Sequence, residues 1–301
     1  MMSIINILAA LALAPFLMGM INRTKAVLAG RRGAPMLQMY FDLFKLMRKG
    51  AVYSETSSWV FRAGPIVSLA AAIGALAIVP MGSARGIVSF NGDIFLFAYL
   101  MGLMRFVTVL SAVDTGSSFE GMGASREVQF AALAEPVFLL ALAALAWAAH
   151  SQSLVDILSG VFGQAWADNA AAVTLAFVAL FVVFLTENSR LPIDDPNTHL
   201  ELTMIHEVMV LDHSGVDLAF IHYGAALKLW TLGALWVGVL LPNDGAPRWL
   251  AGALFLVAMA VLAALTGVVE SSMARLRLRH VPQLLIGAGA LSLFALILVM
   301  R

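Results

Sequence analysis

Long apolar blocks alternate with shorter polar stretches along the whole chain. The blocks are Met2–Ile21, Ala63–Met81, Ile94–Val113, Phe130–Ala149, Ala170–Thr186, Tyr223–Leu241, Trp249–Val269 and Leu284–Met300. Each comes close to the roughly 20 residues a helix needs to cross a bilayer's hydrocarbon core. They are too long for barrel strands, and lipid offers no partner to open backbone groups. The pattern therefore predicts an all-α, polytopic integral membrane protein with eight transmembrane helices. It forms a single membrane domain over residues 1–301, with connections on one side at about 22–62, 114–129, 187–222 and 270–283.

Composition agrees, with 61% hydrophobic and only 12% charged residues among 301. The leading residues MMSIIN carry no Lys or Arg, so the first block reads as a span and not as a cleaved signal. Formal net charge is zero, which gives no reason to expect a nucleic-acid partner. Cysteine is absent. That excludes disulfides and thiolate-held iron–sulfur or zinc sites from this chain, so any redox chemistry is expected elsewhere.

The basic residues set an orientation. The first connection holds Arg23, Lys25, Arg31, Arg32, Lys45, Arg48, Lys49 and Arg62; Arg126, Arg190, Arg275, Arg277 and Arg279 fall on the same side. The opposite side has Arg85, Arg248 and Arg301. By the positive-inside rule the first group faces the cytoplasm and both termini face the periplasm, across a cell inner membrane.

Charges inside the apolar blocks are the first candidates for chemistry. Glu135 lies about two turns inside the fourth block, just before Pro136, with Arg126 and Glu127 at its mouth. A carboxylate in hydrocarbon costs a few kcal/mol unless it meets a polar cavity or partner. It reads as a proton-relay or gating residue, the alternative being an interfacial helix end. Arg105 and Lys228 stand inside other blocks. They either snorkel to the interface or pair with buried carboxylates.

Two connections stand out. In GRRGAPMLQMYFDLFKLMRKG, the residues Gln38, Asp42, Lys45 and Lys49 recur at helical spacing among Met, Leu, Phe and Tyr. Such a helix lies in the membrane interface or under another subunit. The second, ENSRLPIDDPNTHLELTMIHE, packs Glu187, Asp194, Glu201, Glu207, His199 and His206 between two apolar blocks. THLELTMIHEVMVLD reads as a helix with Thr198 as N-cap and with His199 and His206 on one face. It has no HExxH motif and no i, i+4 histidine pair, so it gives no metal site. No phosphate loop, dinucleotide fingerprint or nucleophile elbow occurs. As a catalytic site by itself, the chain looks empty.

These stretches, in this order, resemble one family. GRRGAPMLQMYFDLFKLMRKG, SREVQFAALAEP and TENSRLPIDDPNTHLELTMIHEVMVLDHSG look like the membrane subunit that joins the redox arm to the membrane arm. That subunit is found in respiratory complex I and in energy-converting membrane-bound NiFe hydrogenases such as formate hydrogenlyase. Glu187, Arg190, Pro192, Asp194 and Glu201 match the complex I wording, but Asn197 and His199 stand where complex I has acidic residues. The wording THLELTMIHEVMVLDHSG looks like the formate-hydrogenlyase type.

The resemblance implies a membrane anchoring and coupling subunit of a hydrogen-evolving complex. Its partners would be the hydrogenase large subunit and an iron–sulfur subunit on the cytoplasmic face, antiporter-like membrane subunits, and lipid. The NiFe centre and clusters would belong to those partners, with no cofactor in this chain. The coupling path would run through Glu135, Glu187, Asp194, Glu201, Glu207, Arg126, Lys228, Arg105, His199 and His206. Docking would use Arg31, Arg32, Asp42, Lys45 and Arg190. Two rivals remain: the quinone-chamber subunit of an NADH:quinone oxidoreductase, and a stand-alone ion transporter. No paired inverted repeat supports the latter.

Overall fold

The structure, a computed structural model, describes residues 2–82, 84–160, 165–194, 204–241 and 247–301. Its helices are α1 (Met2–Leu28), α2 (Gln38–Met47), α3 (Trp59–Ile78), α4 (Asp93–Asp114), α5 (Ser118–Ala148), α6 (Leu154–Gly160), α7 (Trp166–Asp168), α8 (Ala170–Glu187), α9 (Gly215–Gly238), α10 (Arg248–Ser272) and α11 (Val281–Met300). Eight are long and apolar enough to cross a membrane: α1, α3, α4, α5, α8, α9, α10 and α11. The chain thus alternates between two faces. The broad face carries α2 and residues 188–194 and 204–214, while the opposite face carries the short connections with α6 and α7.

Helix α9 is the hub, the most buried of the eight. Helix α1 packs on α10 and α9, α3 on α4 and α9, α5 on α8 and α11. Along α1 the buried positions include Ala10, Ala14, Leu17 and Ile21, the i, i+4, i+7 stripe of one helix face. The peripheral α11 instead exposes Ile286, Leu293, Phe294 and Ile297, as a helix facing acyl chains should. Close crossings use small residues. A Cβ on Gly64 of α3 would lie 1.8 Å from Ser111 Oγ on α4, and one on Gly267 of α10 would lie 3.0 Å from the Ile21 carbonyl on α1.

Among the differences from the expectation, three bear on the site. Helix α5 begins at Ser118, so most of the expected connection at 114–129 is helical. Its 31 residues span about 46 Å at 1.5 Å per residue, longer than the ~30 Å hydrocarbon core. Helix α9 begins at Gly215 and absorbs the end of the expected 187–222 connection. The helix expected over Thr198–Asp212 is, in its described part, only a 3-10 turn at Glu207–Val210. Buried carboxylates supply the reason. Asp194 accepts from the N–H groups of Ile205 and His206, and Glu120 accepts from that of Asp212. Backbone donors that an α-helix would use internally are satisfied from outside. Val208, Met209 and Val210 are all buried, so the segment packs on more than one side.

Candidate charge-coupling site

The span-borne charges converge. Arg105, on α4, has a side chain only 8% exposed. Its Nε faces Glu127 at 3.3 Å, its Nη1 donates to Glu135, and its Nη2 donates to Glu187. The second oxygen of Glu187 meets Lys228 Nζ at 2.8 Å. A guanidinium presents five donors in a rigid fork, which lets one arginine serve three carboxylates from two helices, α5 and α8. Neither cation snorkels, because Lys228 sits on the most buried helix and its side chain is 12% exposed.

The cluster lies at membrane depth. Arg105 stands 12 residues beyond Asp93, where α4 starts on the short-loop face, or about 18 Å along the helix. Two cations (Arg105, Lys228) oppose three carboxylates (Glu127, Glu135, Glu187), leaving a formal excess of one negative charge. Glu135 is also the most open member, its side chain 52% exposed. It faces a groove of about 1470 Å³ between α4 and α5.

A second group leads toward the broad face. Asp194, 2% exposed, accepts from Arg275 Nη2 at 2.7 Å as well as from the two backbone N–H groups. Between it and the first cluster lies a void of about 10 Å³, bordered by Arg105, Glu127, Glu187, Ser189 and Asp194. That is about the room one water molecule needs. Arg126 braces this segment from α5, donating to the Met204 carbonyl at 3.0 Å. Burial pushes the His206 imidazole below its usual pKa, with Glu207 acting in the opposite direction.

A third group is distinct. Glu270 at the end of α10, its side chain fully buried, takes Lys25 Nζ at 2.8 Å and Arg190 Nη1 at 3.4 Å. Arg190 was expected at a docking surface but is 3% exposed, because it turns inward to this carboxylate. By contrast Arg31, Arg32, Asp42 and Lys45 are exposed. Helix α2 has no buried residue. Its Gln38 donates to Asp42 at 2.9 Å, one turn apart. Beneath it a cavity of about 440 Å³ is bordered by Asn22, Asp42, Arg190, Glu207 and His222, among others. His199 and Glu201 lie outside the described residues.

Of the expected path, the structure unites Arg105, Glu135, Glu187 and Lys228, and sets Asp194 next to them. It adds Glu127 to that set, and it adds Glu270 in a separate group. Glu127 was readable: it precedes Glu135 by eight residues, about two helical turns, once α5 is allowed to start before it. Glu270 gave a weaker signal, a single acid just past a span.

The family comparisons agree with this architecture. The profile of the NADH dehydrogenase family matches residues 1–300. The chain is a member of that family of membrane subunits. It is 31% identical to formate hydrogenlyase subunit 4 of Escherichia coli K12 over 287 residues, covering 93% of this chain and 92% of that one. Hydrogenase-4 component C of the same organism is 31% identical over 232 residues, 77% of this chain and 72% of the relative. The related NADH-quinone oxidoreductase subunit of Syntrophotalea carbinolica is more distant, 26% identical over 227 residues, 69% of this chain and 67% of the relative. Among solved structures, a chain of the membrane-bound sulfane sulfur reductase, an archaeal respiratory membrane complex, superposes with a TM-score of 0.86 at 20% identity. That match covers 99% of this chain and 98% of the other, and it establishes the shared fold.

Proposed function

We propose that this chain is the membrane anchoring and coupling subunit of a hydrogen-evolving, membrane-bound NiFe hydrogenase complex of the formate hydrogenlyase type. The observation that carries this is the buried cluster of Arg105, Glu127, Glu135, Glu187 and Lys228, joined toward the broad face through Asp194. The similarity to formate hydrogenlyase subunit 4 and hydrogenase-4 component C supports it. In this reading the broad face is cytoplasmic, both termini are periplasmic, and the membrane is the cell inner membrane. The hydrogenase large subunit and an iron–sulfur subunit dock beneath α2 and residues 188–194 and 204–214. Those subunits hold the NiFe centre and clusters, since a chain without cysteine cannot ligate such clusters by thiolate.

The chemistry assigned to this chain is movement of charge. Arg105 keeps its proton at any physiological pH, and its fork is divided among three acids. At an effective dielectric near 20, two charges ~4 Å apart interact by about 4 kcal/mol. Protonating one acid therefore releases the guanidinium toward the others and re-biases every pair in the cluster. A redox step at the broad face that changes the charge around Asp194 and His206 is transmitted to Glu187, and from there to Glu135 and the antiporter-like partners.

Purification in mild detergent tests the reading. Expected companions are a NiFe large subunit and an iron–sulfur subunit, with donor-linked hydrogen evolution; an active, well-behaved monomer that moves ions overturns it. A second reading, a quinone-chamber subunit, draws on the 440 Å³ cavity beneath α2. Quinone retained by the purified complex decides for it.

A further inference from the structure

The groove between α4 and α5 opens laterally along a transmembrane surface. From Ile94 to Arg105 it runs about 16 Å at 1.5 Å per residue. Its floor is low: Ala98 and Gly102 lie one turn apart on α4, and Ala143 and Ala146 line the α5 side. Small residues at this spacing let another helix's backbone approach closely. At the inner end stands Glu135, with a Cβ position on Gly102 only 3.8 Å from its Oε1. At the outer mouth the rim turns polar, with Arg85, His150 and Asp156.

Acyl chains cannot complete this surface, because they offer no donor to a half-exposed carboxylate at membrane depth. The cluster also carries one more negative than positive group, so its complement is a cation. We propose that the groove seats a transmembrane helix of a partner membrane subunit, and that this helix presents a Lys, Arg or His side chain to Glu135. This deepens the coupling reading, from which it takes only that the chain works inside a membrane assembly.

The chain's lack of cysteine makes the test direct. Single substitutions Tyr99→Cys and Leu139→Cys place a thiol in the groove, both at exposed positions. Val261→Cys on α10 and Phe294→Cys on α11, also exposed, serve as lipid-side controls. Each complex is labelled in native membranes with a short thiol-linked photo-crosslinker, and the adducts are mapped by mass spectrometry. Both groove sites should join one transmembrane segment of a co-purifying membrane subunit, with a basic residue within one turn of Glu135's level. The control sites should yield lipid adducts. Replacing that basic residue by Leu, in the partner, should lower the yield of the groove crosslink. Lipid adducts at the groove sites, or a crosslinked segment without a basic residue at that level, overturn the proposal. Water-soluble thiol reagents reaching the groove sites in the intact complex also overturn it. The Glu135→Gln variant separates the two claims: wild-type coupling in that variant removes the coupling role of Glu135 and leaves the mapped contact standing.

Discussion

Two buried acid clusters in the same bundle are built on opposite terms. Around Glu270 one carboxylate is held by two cations, Lys25 and Arg190, and its side chain is fully buried. Around Arg105 three carboxylates share two cations, and Glu135 is half exposed to an open groove. The first meets a cation at each carboxylate oxygen and is closed to solvent. It fastens α1, α10 and the segment after α8 into one body. The second has acceptor capacity to spare and a route outward, so a proton can be added to it without exposing an unpaired cation. Placing an acid in a membrane protein is thus ambiguous until the cations around it are counted.

The largest expected effect falls on the saturated cluster. Glu270→Leu leaves Lys25 and Arg190 buried without their counter-charge, and breaking such a pair costs about 3–5 kcal/mol. Assembled complex recovered from membranes should fall sharply, with no rescue at any pH between about 5 and 8. The unsaturated cluster should respond differently. Arg105→Gln confronts three carboxylates with Lys228 alone and should destabilise at neutral pH, less than Glu270→Leu does because Glu135 is half exposed. Protonation of the carboxylates in acid relieves that repulsion, so the thermal midpoint of this variant should approach wild type as pH falls.

His213 gives a smaller effect outside both clusters. Its imidazole is 4% exposed and stacks on Phe61 at 3.9 Å. Burial pushes its pKa down to about 4, against the pull of Asp217 and Asp212. A folded pKa below the unfolded ~6.5 means the contribution is full above ~6.5 and is lost as pH falls toward ~4. At pH ~5 the loss is roughly 2 kcal/mol, and His213→Phe should flatten this acid limb of the thermal-stability profile. The smallest effect on the fold belongs to Arg31 and Arg32, both exposed. The double Arg→Glu variant should change stability by less than about 0.5 kcal/mol yet, on the proposed function, loosen the subunits docked on the broad face. Blue-native gels of membranes check this.

How much of this the sequence disclosed depended on the range of the interaction. Spans are written locally in apolar runs, and all eight were readable. Their ends were not, because caps come from other helices. Helix α3 starts at Trp59, ahead of the expected Ala63, where Asp114 of α4 accepts from the N–H groups of Ser58 and Phe61. Arg105, Glu135, Glu187 and Lys228 were conspicuous as charges in or beside apolar blocks. Their pairing was not, since Arg105 reaches across 30 residues to Glu135 and 82 to Glu187. Arg190 misled for the same reason. A cation in a connecting loop reads as surface until the acid 80 residues later is placed beside it.

The contrast between the clusters reduces to one paired measurement. Glu135→Gln and Glu270→Gln are each introduced into the intact complex, assembly is confirmed on native gels, and donor-linked hydrogen evolution by membranes is followed with and without an uncoupler. The account predicts that Glu135→Gln assembles normally but loses much of its rate or its response to the uncoupler, while Glu270→Gln fails chiefly in assembly. An assembled Glu135→Gln complex with wild-type rate and wild-type uncoupler response would contradict it.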